Sequence, residues 1–117
     1  MFLSIIIPVY NGAKHITNCL NSIWAQDMHT EDYEVICIDD CSTDNTVEVL
    51  NNISKGNNNL RVINNNSNCR AGGSRNHGVL EAKGEYIVFI DSDDYFHPGS
   101  LKEAVLYLQN TDRKSVV

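Results

Sequence analysis

Lysine and arginine are scarce in this 117-residue chain: 9 of them face 15 Asp and Glu, for a formal charge of −6, and they form no cluster. Surfaces that bind DNA or RNA need a basic patch, so no nucleic-acid partner is expected. Long apolar runs are lacking too. The longest, Ile5 to Val9, is far short of the roughly 18 residues of a membrane span, and no basic segment precedes a signal-type stretch. The expectation is a cytoplasmic protein, free or at the cytoplasmic face of a membrane. Cys19, Cys37, Cys41 and Cys69 form no CxxC pair, which argues for reduced thiols and against disulfides or a structural zinc. His15, His29, His77 and His97 show no HExxH spacing and read as surface or capping residues, and the GxGxxG dinucleotide fingerprint is absent.

What is present is enough for one small domain over residues 1–117. With 42% hydrophobic residues, a chain of this size can remove somewhat under about 70% of its unfolded surface from water. Phe2 to Val9 and Tyr33 to Asp39 are near-continuous apolar runs of the kind that form strands buried on both faces. Between them, over Ala13 to Gln26, Ile16, Cys19, Leu20, Ile23 and Trp24 recur at helical spacing. Ser42 or Thr43 can cap a second helix with Val47, Leu50 and Ile53 inward. Leu60 to Ile63 is a short third strand, Gly73 to Ala82 a third helix, and Glu85 to Asp91 a fourth strand. A fourth helix starts around Pro98, Gly99 and Ser100, and Val116 and Val117 begin a fifth strand. Strands separated by helices pair in parallel through right-handed crossovers, so the expected fold is α/β, an open, mainly parallel sheet with helices on both faces.

In such sheets ligands bind beyond the carboxyl ends of the strands, where the winding reverses. The polar residues gather at those ends. The first strand runs into Pro8, Tyr10 and Asn11, the second into Asp39 and Asp40, the third leads to Arg70 and Arg75, and the fourth ends in Asp91, Asp93 and Asp94. Two carboxylates 4 Å apart repel by about 4 kcal/mol at an effective dielectric of 20, so a cluster of them calls for a cation. All-oxygen ligands favour Mg2+ or Mn2+, and Mg2+ commonly pairs one or two carboxylates with substrate phosphates. The chemistry expected is a metal-assisted nucleoside-diphosphate site.

Each signal has a plainer counterpart. Asp39-Asp40 taken alone equally describes a turn whose side chains bond local amides, and Asp91-Ser92-Asp93-Asp94 alone can cap a short helix. Arg75 alone fits a surface ion pair, and Tyr10 a strand-end core residue. The asparagine triplets Asn57 to Asn59 and Asn64 to Asn66 read as loop filler. Only jointly do the strand ends favour a site.

Four segments, SIIIPVYNG (Ser4 to Gly12), YEVICIDDCSTDNT (Tyr33 to Thr46), SRNHG (Ser74 to Gly78) and GEYIVFIDSDD (Gly84 to Asp94), closely resemble the family 2 glycosyltransferases of GT-A fold. The resemblance implies a nucleotide-sugar donor, a sugar or lipid-linked acceptor, inversion at the anomeric carbon, and Mn2+ or Mg2+ as cofactor. It implies that Pro8, Tyr10 and Asn11 lie against base and ribose, that Asp39 holds the base edge, and that Asp40 supports it. Arg75 and Asn76 match the loop facing the donor. Asp91 and Asp93 match the DxD pair, Asp93 toward the metal and Asp91 toward ribose and sugar, with Asp94 a second metal or sugar contact. The chain departs from the pattern at Cys41 and Arg70, where the family usually has Gly. A non-Gly residue in the left-handed region costs about 1 kcal/mol or more, so locally altered turns are expected there.

Domains of this family run to roughly twice this length, within the usual range for one domain. The chain is therefore expected to be an apparently truncated donor-binding half, with no residue assigned as general base and no transfer by itself. An uncovered sheet edge would let it self-associate. The rival functions are a nucleotide-sugar-binding module without turnover and, more distantly, a phospho-acceptor signalling domain. The latter usually wants its aspartate pair after the first strand, where this chain has Tyr10-Asn11.

Overall fold

Apolar runs become strands and periodic segments become helices over residues 1–110, those that the computed structural model describes. The order is β1 (Leu3–Val9), α1 (Ile16–Trp24), β2 (Tyr33–Asp39), α2 (Thr46–Ser54), β3 (Leu60–Asn64), α3 (Arg70–Glu81), β4 (Tyr86–Phe89) and α4 (Ser100–Gln109). All pairings are parallel, in the order β3-β2-β1-β4. The chain winds outward from β1 through β2 to β3, then crosses back to put β4 on the other side of β1. The winding thus reverses between β1 and β4, which is where a sheet of this kind opens a crevice at its carboxyl edge.

Side chains alternate across the sheet and build two unequal cores. Leu3, Ile5, Ile7 and Val9 of β1 join Val35 and Cys37 of β2 and the inner residues of α1, α2 and α4 in the larger one. Ile6, Ile36 and Ile38 face the other way, where α3 is the helix that packs among the described residues. That helix is rich in glycine, and Gly78 is what brings it against the strands: a methyl there would stand 2.5 Å from Ile6 Cγ2 and 2.8 Å from Ile38 Cδ1. One charge is buried at the far end of the sheet. Glu34 accepts from Ser4 Oγ at 2.7 Å, from the Lys83 amide at 2.7 Å and from Arg61 at 3.2 Å. Burial would raise its carboxyl, but these donors together hold it below the usual range.

The elements match the expected series, with differences of extent and of facing residues. Residues 13–15 form turns rather than the start of α1, and the amides of Gly12 and Ala13 before and within them donate to the neighbouring loop, to Thr46 Oγ1 and Asp44 Oδ2. α2 starts at Thr46 and is not capped by Ser42 or Thr43, whose polar groups are engaged by Asp39 and Asn11. Its inward residues are Thr46 and Leu50, with Val49 and Ile53 partly buried, rather than Val47. β4 ends at Phe89, one further amide bond from Ile90 to Ile6 at 3.2 Å preceding the turn in which Asp94 N–H donates to the Asp91 carbonyl. α3 begins earlier than expected, at Arg70. The expected fifth strand at Val116 and Val117 lies outside the described residues.

Helix propensity alone makes Gly78→Ala stabilising by about 1 kcal/mol. The contacts with Ile6 and Ile38 reverse that sign, and a net loss of about 1–3 kcal/mol is expected, read as a lowered urea midpoint. An unchanged or raised midpoint would contradict the close approach of α3.

Candidate functional site

The loops after β1 and β2 are laced together. Asn11, at φ 49°, accepts through Oδ1 from the Thr43 amide at 2.8 Å and the Asp44 amide at 3.3 Å, while its own amide donates to Ser42 Oγ at 2.9 Å. Gly12 N–H donates to Thr46 Oγ1 at 3.0 Å. Asp44 accepts from the amide of Thr46 at 3.0 Å and from its hydroxyl, and the bond from that hydroxyl, foremost, holds its carboxyl below the usual range. Asn11 therefore shapes the loop with its side chain, while Tyr10 beside it is 53% exposed.

Asp39 ends β2, Asp40 follows it, and both are buried. Asp39 turns back on its own loop, accepting from Ser42 Oγ at 2.6 Å and Ser42 N–H at 3.1 Å. Asp40 reaches across to the loop before α3. Its Oδ1 accepts from the Cys69 amide at 2.7 Å and Asn65 Nδ2 at 3.0 Å, and its Oδ2 from the Arg70 amide at 2.9 Å. Burial would raise this carboxyl, but the bonds from Cys69, Asn65 and Arg70 outweigh it and hold it below the usual carboxylate range. Cys41 and Arg70 keep the left-handed conformation, at φ 62° and 61°, so the turns are not altered as expected. The local cost of about 1 kcal/mol each is offset by bonds that need that geometry, from Cys41 Sγ to the Asn65 carbonyl and from the Arg70 amide to Asp40.

Across the crevice stands the loop after β4. Carboxylate oxygens of Asp91, Asp93 and Asp94 lie within 4.8 Å of one another, all three residues exposed. Arg75, projecting from α3, pairs with Asp91 at 3.2 Å. The stretch from this loop into α4 is held from below by α1. Cys19 Sγ donates to the Asp91 carbonyl at 3.8 Å, Ser22 Oγ accepts from the Phe96 amide at 3.0 Å, and the buried Gln26 accepts from the Leu101 and Lys102 amides at 3.0 and 3.1 Å. Burial first, and then the carboxylates of Asp94, Asp93 and Asp91, push the Cys19 thiol up to about 12.

The strand ends thus converge as the sequence predicts. Pro8, Tyr10 and Asp40 line a cleft of about 80 Å³ with Val9, Ala71 and Ser74. Outside that lining, Arg75 pairs with Asp91, and Asp93 and Asp94 join Asp91. Asn76 sits exposed on α3. Asn65, read from the sequence as loop filler, and Ser22 and Gln26 have no motif of their own, and Ser74 stands in SRNHG without an assigned role; helical spacing, which continues from Cys19 and Ser22 to Gln26 just past the end of α1, is the one signal for Ser22 and Gln26. The sheet's opposite edge has a larger hollow, about 260 Å³, lined by Phe2, Met28, Tyr33 and Val105 among others. It is more apolar than polar, and of its charged lining residues Lys102 is already paired with Asp27 at 3.9 Å, whereas the clustered carboxylates and Arg75 stand at the carboxyl edge, so the chemistry points there despite its smaller cleft.

Removing the Asp40 carboxylate leaves the Cys69 and Arg70 amides without their acceptor. Asp40→Ala is expected to cost about 1–3 kcal/mol at pH 7. Because the carboxyl is held low when folded, its contribution is full above the ordinary carboxylate range and is lost as pH falls through the lowered value. Urea titrations should therefore show the gap between the two proteins closing on acidification. A gap that stays constant or widens would contradict the assignment.

The family model for glycosyl transferase family 2 matches residues 4–117. The chain is 46% identical over 116 residues to a poly(ribitol-phosphate) beta-glucosyltransferase of Bacillus spizizenii, covering 98% of this chain and 18% of that protein. It is 38% identical over 109 residues to the poly(ribitol-phosphate) beta-N-acetylglucosaminyltransferase TarS of Staphylococcus aureus, covering 92% of this chain and 19% of that one. The crystal structure of S. aureus TarS 1–349 in complex with UDP-GlcNAc superposes with a TM-score of 0.86 over 93% of this chain and 31% of that one, at 38% identity. The chain therefore spans about a fifth of the length of these curated relatives. With the strand order, the converging strand ends and a match running over nearly all its residues, the chain belongs to glycosyl transferase family 2.

Proposed function

We propose that residues 1–117 form the nucleotide-sugar-binding half of an inverting, metal-dependent glycosyltransferase domain that works in the cytoplasm. The observation that carries this reading is the meeting of four strand ends at one crevice, with Arg75 and three carboxylates on its β4 side. The complex of TarS with UDP-GlcNAc supports a uridine-diphosphate sugar as donor. The names of the two curated relatives extend the reading to a poly(ribitol-phosphate) acceptor, in place of a general sugar or lipid-linked one. No residue of this chain is assigned to the acceptor or to the general base. Self-association is proposed to use β4, one of the sheet's two edge strands among the described residues.

In this reading the exposed ring of Tyr10 offers a face on which the base stacks, and Pro8 forms the floor beside it. Asp39 accepts one bond from Ser42 on each oxygen, and a carboxylate has about four acceptor positions, so it retains capacity for the base edge. Asp40 and Asn11 act at one remove, by holding the turns on either side. Arg75 uses one of its nitrogens on Asp91 and keeps further donors for phosphate oxygens, in the fork geometry that suits them. The three clustered carboxylates supply hard oxygen donors at mutual distances that one divalent cation can bridge, so Asp91, Asp93 and Asp94 fit Mn2+ or Mg2+. When bound, the cation supplies Lewis-acid stabilisation of the departing diphosphate.

Calorimetry with UDP, with and without Mn2+, tests the reading. Asp93→Ala should remove most of the metal-dependent gain in affinity, about tenfold or more, with the fold intact because the side chain is exposed beyond the sheet. Asp39→Ala should weaken binding in both buffers. Undiminished metal dependence in the first variant would overturn the metal assignment, and an effect of the second confined to Mn2+ buffer would overturn the base assignment.

A further inference from the structure

Asn65 sits in the loop between β3 and α3, in the middle of an asparagine triplet. Its amide donates to the Asp39 carbonyl at 2.9 Å, and its carbonyl accepts from Cys41 Sγ at 3.3 Å. Its side-chain Nδ2 donates to Asp40 Oδ1 and to Ser74 Oγ, both at 3.0 Å, and its Oδ1 lies 2.8 Å from His77 Nδ1. The orientation of this side chain is determined by its partners. Turning the amide over would aim its oxygen at the Asp40 carboxylate, which can only accept, so Nδ2 faces Asp40 and Oδ1 faces the ring. His77 Nδ1 must then carry a hydrogen, in either protonation state of the imidazole.

The bonds form a directed chain. His77 donates to Asn65, Asn65 donates to Asp40, and Asp40 accepts the amides of Cys69 and Arg70 at the left-handed turn that opens α3. Both acceptors of the Asn65 amide, Asp40 and Ser74, line the cleft beside Pro8 and Tyr10. Through its backbone the same residue also fixes the end of β2 at Asp39. We propose that Asn65, oriented by His77, is a positioning residue: it sets the Asp39-Asp40 pair and the Cys69-Arg70 turn in the arrangement that receives a nucleoside. The proposal rests on the nucleotide-site reading above, and gives a functional role to Asn65, which no sequence motif marks, and to His77, which lies within SRNHG with no role of its own assigned there.

Two readouts separate this role from a purely structural one. The first is amide hydrogen exchange at Cys69 and Arg70 in the ligand-free protein; the second is UDP affinity by calorimetry. Asn65→Ala should speed exchange at both amides and weaken UDP binding, each by about tenfold, while core amides such as that of Ile36 keep their protection. His77→Leu, which removes the donor, should shift both readouts in the same direction, and His77→Gln, which can restore an N–H donor without a titrating ring, should recover them. Nitrogen chemical shifts of the His77 ring should place a hydrogen on Nδ1. The proposal is overturned by unchanged exchange at Cys69 and Arg70, by altered exchange with unaltered UDP affinity, or by identical behaviour of the Leu and Gln variants. Failure of the unaltered protein to bind UDP overturns the nucleotide reading itself, and with it any positioning toward a nucleoside; the exchange data then still report whether Asn65 holds the turn.

Discussion

A buried carboxylate has to be surrounded by donors, and around Asp40 those donors come from chain segments 25 to 30 residues away, at Asn65, Cys69 and Arg70. Burying the charge without them would be costly. With them in place, the end of the central strand, the loop before α3 and the first turn of α3 become one unit. That constraint explains why Cys41 and Arg70 hold positive φ without glycine: each strained residue delivers a hydrogen bond into the same network. It also explains why the half of the crevice nearest β2 is shaped by the protein's own bonds before any ligand arrives.

The other half is built on a different principle. Asp91, Asp93 and Asp94 are exposed, repel one another, and have few donors aimed at their carboxylates. What the fold fixes there is the backbone beneath them and the start of α4, through Cys19 and Ser22 of α1 and Gln26 just beyond it. The side chains are left to respond to charge, and Arg75 is the one cation that reaches them among the described residues. A rigid, internally satisfied side and an electrostatically open side suit the two ends of a nucleoside diphosphate. The uncharged base needs shape and directed hydrogen bonds, whereas the diphosphate needs counter-charge.

The fold was legible because its signals are strong and redundant. Runs such as Ile5 to Val9 and Tyr33 to Asp39 are too short for helices and too apolar for loops, and the helical stripe of Ile16, Cys19, Leu20 and Ile23 falls entirely within the core. Helix starts were less legible. Ser42, Thr43 and Ala13 look like helix-entry residues locally, but Ser42 bonds Asp39 of its own turn, while the amides of Thr43 and Ala13 bond the adjacent loop, tertiary contacts that local propensity does not encode. The charged members of the site announced themselves by crowding at strand ends. Their supports did not, since Asn65 resembles the asparagines on either side of it and Gln26 resembles any polar residue at the end of a helix. What distinguishes such residues is the set of partners that distant segments bring to them.

The central claim is that the carboxyl edge of the sheet, and not the larger apolar hollow at its amino edge, receives the nucleotide. Amide chemical-shift mapping on the isotopically labelled protein titrated with UDP tests it directly. The account predicts perturbations at the ends of all four strands, from Tyr10 to Gly12, from Asp39 to Ser42, across the turn at Cys69 and Arg70, and from Asp91 to Asp94, with Phe2, Met28, Tyr33 and Val105 unaffected. Perturbations concentrated on those four residues, with the strand ends silent, would contradict it.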